Sequence, residues 1–232
     1  FAANYLVETA GKRSIAVIDD GKTYGANLAE QFAIQAEKKG ATIVAREKVG
    51  ERDTDFSGVI TRIRALNPDA VYYGGEYPVA GPMSAQLAAA GLSIPLMGGD
   101  GIVDAQFVAL GGRVGDLATN VGAPPESLPS ATQFLQDYEA ANFAEPYSAY
   151  GALTYDSANV IIEAVAKALA NGDYAPDRRA DIVSAVQDTN IEGASGPVSF
   201  DQYGDTTNKV LTVYQVKGTE FAPIETGAYQ AS

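Results

Sequence analysis

The stretch Ser14-Ile15-Ala16-Val17-Ile18-Asp19-Asp20-Gly21-Lys22-Thr23-Tyr24-Gly25-Ala26-Asn27-Leu28 decides the fold. Ser14 to Ile18 is a short apolar run without polar alternation, the pattern of a parallel strand covered on both faces. Asp19, Asp20 and Gly21 end it in a turn. From Tyr24 to Lys39 the residues Leu28, Phe32, Ile34 and Ala36 recur at helical spacing, and Gly40 supplies the stop.

The same unit then repeats outward. Thr42 to Val49 reads as a second strand. Asp55 precedes an amphipathic helix with Val59, Ile60, Ile63 and Leu66 on one face, ended by Asn67-Pro68. Ala70 to Tyr73 is a third strand broken by Gly74-Gly75. Pro78 to Ala90 is a third helix with Gly91 at its C-terminus, and Ile94 to Met97 is a fourth strand. A βαβαβαβ order with right-handed crossovers winds into a parallel sheet flanked by helices, so the fold class is α/β.

Beyond Gly98-Gly99-Asp100-Gly101 come a short helix from Asp104 to Leu110 and a strand from Leu117 to Val121. Pro124, Pro125 and Pro129 then mark a linker-like stretch. Three helices follow, Ala131 to Asn142, Tyr150 to Ala170 and Arg179 to Thr189, with only a short strand, Val198 to Phe200, before the closing strand Val210 to Val216. Helices need an apolar surface to cover, so this half is expected to lack the sheet beneath them. The opening helix, Ala2 to Thr9, lacks an N-cap, as though the chain were cut just upstream.

Composition narrows the chemistry. Hydrophobic residues make up 46% and charged residues 19%, which predicts a packed globular chain. The 16 Lys and Arg against 29 Asp and Glu give a net charge of -13, a sign that repels nucleic acid and anionic lipid. With neither cysteine nor histidine, thiolate nucleophiles, zinc-thiolate sites and the commonest general base are excluded. No apolar run approaches the ~20 residues of a membrane-spanning helix, and nothing at Phe1 resembles a secretion signal.

In an open parallel sheet, ligands bind outside the carboxyl ends of the strands. Four places qualify: Asp19-Asp20 with Tyr24, Arg46 to Gly50, Gly74-Gly75-Glu76-Tyr77 and Gly98-Gly99-Asp100-Gly101. Three carry an acid beyond the end of the strand, and two put it directly behind a glycine pair that admits close approach to the backbone. An amine is the natural complement. Asp19 and Asp20 also read as a helix cap or solvated turn. Glu76 and Asp100 recur at equivalent positions and are the better candidates. Tyr24 either packs or points its hydroxyl into a cleft, and Tyr72-Tyr73 reads as core.

Phosphate-binding fingerprints are absent, and Gly111-Gly112-Arg113-Val114-Gly115 follows a helix where a strand is required. Ile15 to Asp20 resembles the opening of a phosphoacceptor receiver domain, but the third strand ends in Gly74-Gly75 and lacks the aspartate that such a domain phosphorylates. Glu76 and Asp100 also admit a carboxylate-dependent hydrolase.

Six segments together resemble the branched-chain amino-acid-binding, or Leu/Ile/Val-binding, family of type I periplasmic binding proteins of ABC transporters. They are IAVIDDGKTYGANL (15–28), DTDFSGVITRIRAL (53–66), DAVYYGGEY (69–77), GLSIPLMGGDG (91–101), the helix start from Tyr150 to Ala158, and GPVSFDQYG (196–204). The resemblance implies two lobes of helix-flanked parallel sheet with a small molecule enclosed between them. Residues 1–118 with 206–232 resemble the complete second lobe. Residues 119–205 resemble the C-terminal part of the first, whose N-terminal segment is expected to lie outside this chain, as part of a longer protein or as a separate polypeptide.

The resemblance further implies a solute receptor and not an enzyme, without catalytic residues, cofactor or bound metal. It would be periplasmic or otherwise extracytoplasmic, including as a lipoprotein, and would serve a membrane permease. A ligand-sensing domain of the same fold is the alternative. By the same resemblance Asp100 pairs with the α-ammonium of an amino acid or related amine, Tyr24 helps hold it, and Tyr150 forms an aromatic wall. Glu76 departs from the tyrosine of familiar leucine binders, which admits a polar, cationic or amide-type solute.

Overall fold

A computed structural model of the chain describes residues 1–170, 172 and 175–229. It divides into two compact units, Phe1–Val121 with Leu211–Gly227, and Gly122–Val210 with the chain's end from Ala228. Residues 230–232, assigned above to the second lobe, lie outside the described residues.

The first unit is built on a seven-stranded sheet in the order β2-β1-β3-β4-β5-β8-β9. The strands are β1 (Ser14–Asp19), β2 (Thr42–Lys48), β3 (Ala70–Gly74), β4 (Leu96–Gly98), β5 (Leu117–Val121), β8 (Val210–Lys217) and β9 (Glu220–Ala228). The first five run parallel, and β8 pairs antiparallel with β5. Every residue of β3 is buried, as its central place and uninterrupted apolar run require.

Two apolar layers close the faces. Phe32, Ala33 and Ala36 of α2 (Thr23–Lys38) cover one with Leu6 and Val7, and Phe32 stacks on Tyr72 of β3 at 3.8 Å between centroids. Ile60 and Ile63 of α3 (Ser57–Arg64), Met83 and Leu87 of α4 (Tyr77–Ala89) and Phe107 of α5 (Ala105–Ala109) cover the other. Helix α4 is closed by Gly91, two residues past its end, at φ +82°, where the Gly91 and Leu92 N–H groups donate back to the Ala88 and Leu87 carbonyls, so the left-handed glycine lets two terminal carbonyls be satisfied.

The sequence reading missed two strands and altered one helix. β9 contains Pro223 and Gly227, which weaken a strand pattern and are tolerated at a sheet edge. β6 (Asn190–Gly193) has a single aliphatic residue, too little for periodicity to register. The opening helix is an α turn, α1 (Ala2–Asn4), continued by a π-helical turn, Tyr5–Thr9, in which Ala10 N–H donates to the Tyr5 carbonyl at 2.8 Å.

The second unit holds α6 (Thr132–Ala141), α7 (Gly151–Ala168) and α8 (Arg179–Gln187), with β6 paired antiparallel to β7 (Gly196–Ser199). Asp156 pins α7 to this hairpin. Its buried carboxylate accepts the Ala194 N–H at 2.8 Å, the Ser195 N–H at 2.7 Å and the Ser195 hydroxyl at 2.5 Å. Charge-assisted bonds of this kind are short and strong. Asp156→Asn turns a donor toward one of those N–H groups and is expected to cost about 2 kcal/mol, read as a lower urea midpoint at unchanged slope.

Candidate functional site

The strand order 2-1-3-4-5 reverses direction between β1 and β3, and α2 and α4 leave on opposite faces at that point. Such a switch opens a crevice above the carboxyl ends of the strands. Tyr24, Glu76 and Asp100 each follow a strand that ends at this edge.

The Tyr-Gly pair at the start of α2 has a steric cause. A Cβ at Gly25 would lie 2.4 Å from the Gly74 carbonyl oxygen, and one at Gly74 would lie 2.1 Å from the Gly25 oxygen. Backbone meets backbone, so the first turn of α2 rests on the end of β3. Asp20 Oδ1 fixes the approach by accepting the Lys22 N–H at 2.9 Å, and Asp19 accepts the Gly21 N–H at 2.7 Å. Both acids therefore cap the turn.

Tyr24 is thereby held over the loop after β4. Its hydroxyl donates to Asp100 Oδ1 at 2.7 Å and accepts the Gly101 N–H at 3.0 Å. A Cβ at Gly99 would stand 2.8 Å from Leu28 Cδ1, and one at Gly101 would stand 2.9 Å from the Tyr24 oxygen and 3.0 Å from the Gly75 carbonyl oxygen, so the loop packs closely against Tyr24 and the end of β3. Tyr24 is 39% exposed and Asp100 half-buried. Burial, and secondarily the charge of Asp100, raises the Tyr72 hydroxyl above its ordinary value.

Glu76 stands at the N-terminus of α4, exposed, with no side-chain capping bond. The Gly75 oxygen would lie 3.0 Å from a Cβ on Gly101, so the backbones beside Glu76 and Asp100 abut. Lys22 lies within electrostatic reach of Glu76 and Asp20, while its ammonium pairs with Glu51. Tyr24 and Asp100 are thus brought into contact, with Glu76 one residue from the same glycine junction. Tyr150 belongs to the second unit, immediately before α7, where its carbonyl accepts the Thr154 N–H at 2.8 Å. Arg46, named among the four places, lies inside β2 and pairs with Glu30, and the Gly50 N–H is taken by Asp53.

Sequence reasoning placed Tyr73 in the core, and its ring is fully buried. What it missed is the phenolic oxygen, which has no hydrogen-bond partner and would lie 2.3 Å from a Cβ on Gly75. Burial and then Asp20, Glu76 and Asp19 raise this hydroxyl above its ordinary value. Among the described residues no group of three or more acids could hold a metal ion, and no helix is long and apolar enough to cross a membrane.

A model of the periplasmic binding protein family matches residues 2–220. The chain belongs to the periplasmic binding protein family. Within that family it is 29% identical over 216 residues to Leu/Ile/Val-binding protein homolog 3 of Brucella melitensis, and 30% identical over 218 residues to an amino acid binding protein of Pseudomonas aeruginosa. Each alignment covers 92% of this chain and 56% of the relative, so the chain spans little more than half the length of these periplasmic binding proteins. The structure of a leucine binding protein from Thermotoga maritima superposes with a TM-score of 0.84 at 27% identity, covering 97% of this chain and 63% of that one. The fold is the type I periplasmic binding protein fold. These periplasmic binding proteins are solute binders and not enzymes.

Proposed function

We propose that the chain forms the amine-recognising part of an extracytoplasmic solute-binding protein that serves an ABC importer and captures an amino acid or close analogue. The observation that carries this is the Tyr24–Asp100–Gly101 constellation at the switch point. A carboxylate with a phenol oxygen beside it accepts hydrogen bonds from an α-ammonium group without any catalytic group being needed. The names of the relatives, which are amino-acid binders, support the same solute class.

In this reading Phe1–Val121 with Leu211–Gly227 is one lobe of a clamp, and Gly122–Val210 is part of the other, which contributes Tyr150 as an aromatic wall. Closure on the ligand then presents the protein to a membrane permease. The ligand-carboxylate partners belong to chain outside these 232 residues.

Calorimetric titration of the full-length protein with L-amino acids tests it. Asp100→Asn is expected to weaken the bound amino acid roughly 10- to 100-fold and Tyr24→Phe by a smaller factor. Unchanged affinity in Asp100→Asn would remove this constellation from the binding site.

A further inference from the structure

The edge that carries Tyr24 and Asp100 extends past them. Gly75 lies against Gly101 on one side and against the Tyr73 hydroxyl below, and Glu76 projects from the next residue. Tyr73 is fully buried and its oxygen is without a partner, which is uncommon for a buried polar atom. The Glu76 carboxylate neither caps α4 nor forms an ion pair among the described residues. Lys22, the cation within reach, is drawn off by Glu51. Glu76 and Asp100 therefore stand on the two sides of one glycine junction.

From this we infer a second cation-binding subsite, formed by Glu76 above the Tyr73 hydroxyl, next to the one at Asp100. The ligand class it fits is an amino acid with a basic side chain, whose α-ammonium meets Asp100 and Tyr24 and whose second cationic group meets Glu76. A branched aliphatic side chain would leave the Glu76 carboxylate unpaired as the site closes, a cost that disfavours it. The inference rests on the amine-recognition reading of Asp100.

The experiment is a titration of the full-length protein with L-lysine, L-arginine, L-glutamine and L-leucine, in wild type and in Glu76→Gln. Because the Glu76 side chain makes no capping bond, the variant is expected to retain its fold, which an unchanged thermal midpoint verifies. Lysine or arginine is expected to bind most tightly in the wild type and to lose roughly 10- to 100-fold in Glu76→Gln, with glutamine changed by less than about threefold and leucine bound more tightly than by the wild type. If leucine or glutamine binds more tightly than both basic amino acids, or if Glu76→Gln leaves the basic amino acids unaffected, the second subsite is wrong while amine recognition stands. If none of the four binds, amino-acid capture itself falls.

Discussion

Asp116→Ala is expected to destabilise the first unit by about 3–5 kcal/mol, the range for removing one partner of a buried ion pair. Asp116 is 1% exposed and sits just before β5. Its Oδ1 accepts the Leu96 N–H at 3.0 Å, its Oδ2 accepts the Arg113 N–H at 2.8 Å, and the Ser84 hydroxyl donates to it. Arg113 in turn donates to Ser84 Oγ at 2.8 Å and to the Ile94 carbonyl at 2.9 Å. One carboxylate thus ties α4, the start of β4 and the turn before β5. Without it, the buried Leu96 N–H and the part-buried Arg113 N–H lose their acceptor and the Arg113 guanidinium loses its counter-ion, which costs more than the net value of the bonds.

A pH signature accompanies that loss. Burial raises the Asp116 carboxyl above its ordinary value, against the opposing pull of Ser84, the Leu96 and Arg113 N–H groups and the Arg113 charge. The native state therefore holds the proton more tightly than the unfolded chain. The stabilisation this confers is complete below the unfolded value of about 3.9 and is lost as pH rises through the folded value. Thermal midpoints measured from about pH 3 to about pH 6 are expected to fall less steeply in Asp116→Asn than in wild type.

Gly74→Ala is the second large effect, about 3 kcal/mol. The added methyl would lie 2.1 Å from the Gly25 carbonyl oxygen, a backbone atom that moves only if α2 moves. Relief requires α2 to lift from β3, which carries Tyr24 away from Asp100. The variant is therefore expected to lose thermal stability and amino-acid affinity together, whereas Tyr24→Phe should lose affinity with little change in midpoint. A Gly74→Ala protein with wild-type stability and affinity would show that the Gly25–Gly74 contact does not position the site.

Much of this organisation is legible in the order of residues. The apolar runs at Ser14–Ile18 and Ala70–Tyr73, with glycines and acids at their ends, are enough to place strands, turns and the edge where a ligand binds, because a two-faced buried strand has no other pattern. Strand β9 escaped because Pro223 and Gly227 suit only an edge, and whether a segment is an edge is decided by its neighbours.

The α/β class, the places of Tyr24, Glu76 and Asp100 after β1, β3 and β4, and the exclusion of thiol and imidazole chemistry are all carried by the order of residues. Those depend on local periodicity and on which side chains exist. The tertiary structure decided which candidates meet. Tyr24 and Asp100, 76 positions apart, are joined by a 2.7 Å hydrogen bond because β1 and β4 lie on either side of β3. Asp19 and Asp20 became turn caps, and the hydroxyl of a core tyrosine came to rest beneath the site. Each outcome depends on packing of elements distant in sequence, where one backbone approaches another closely enough that only glycine fits.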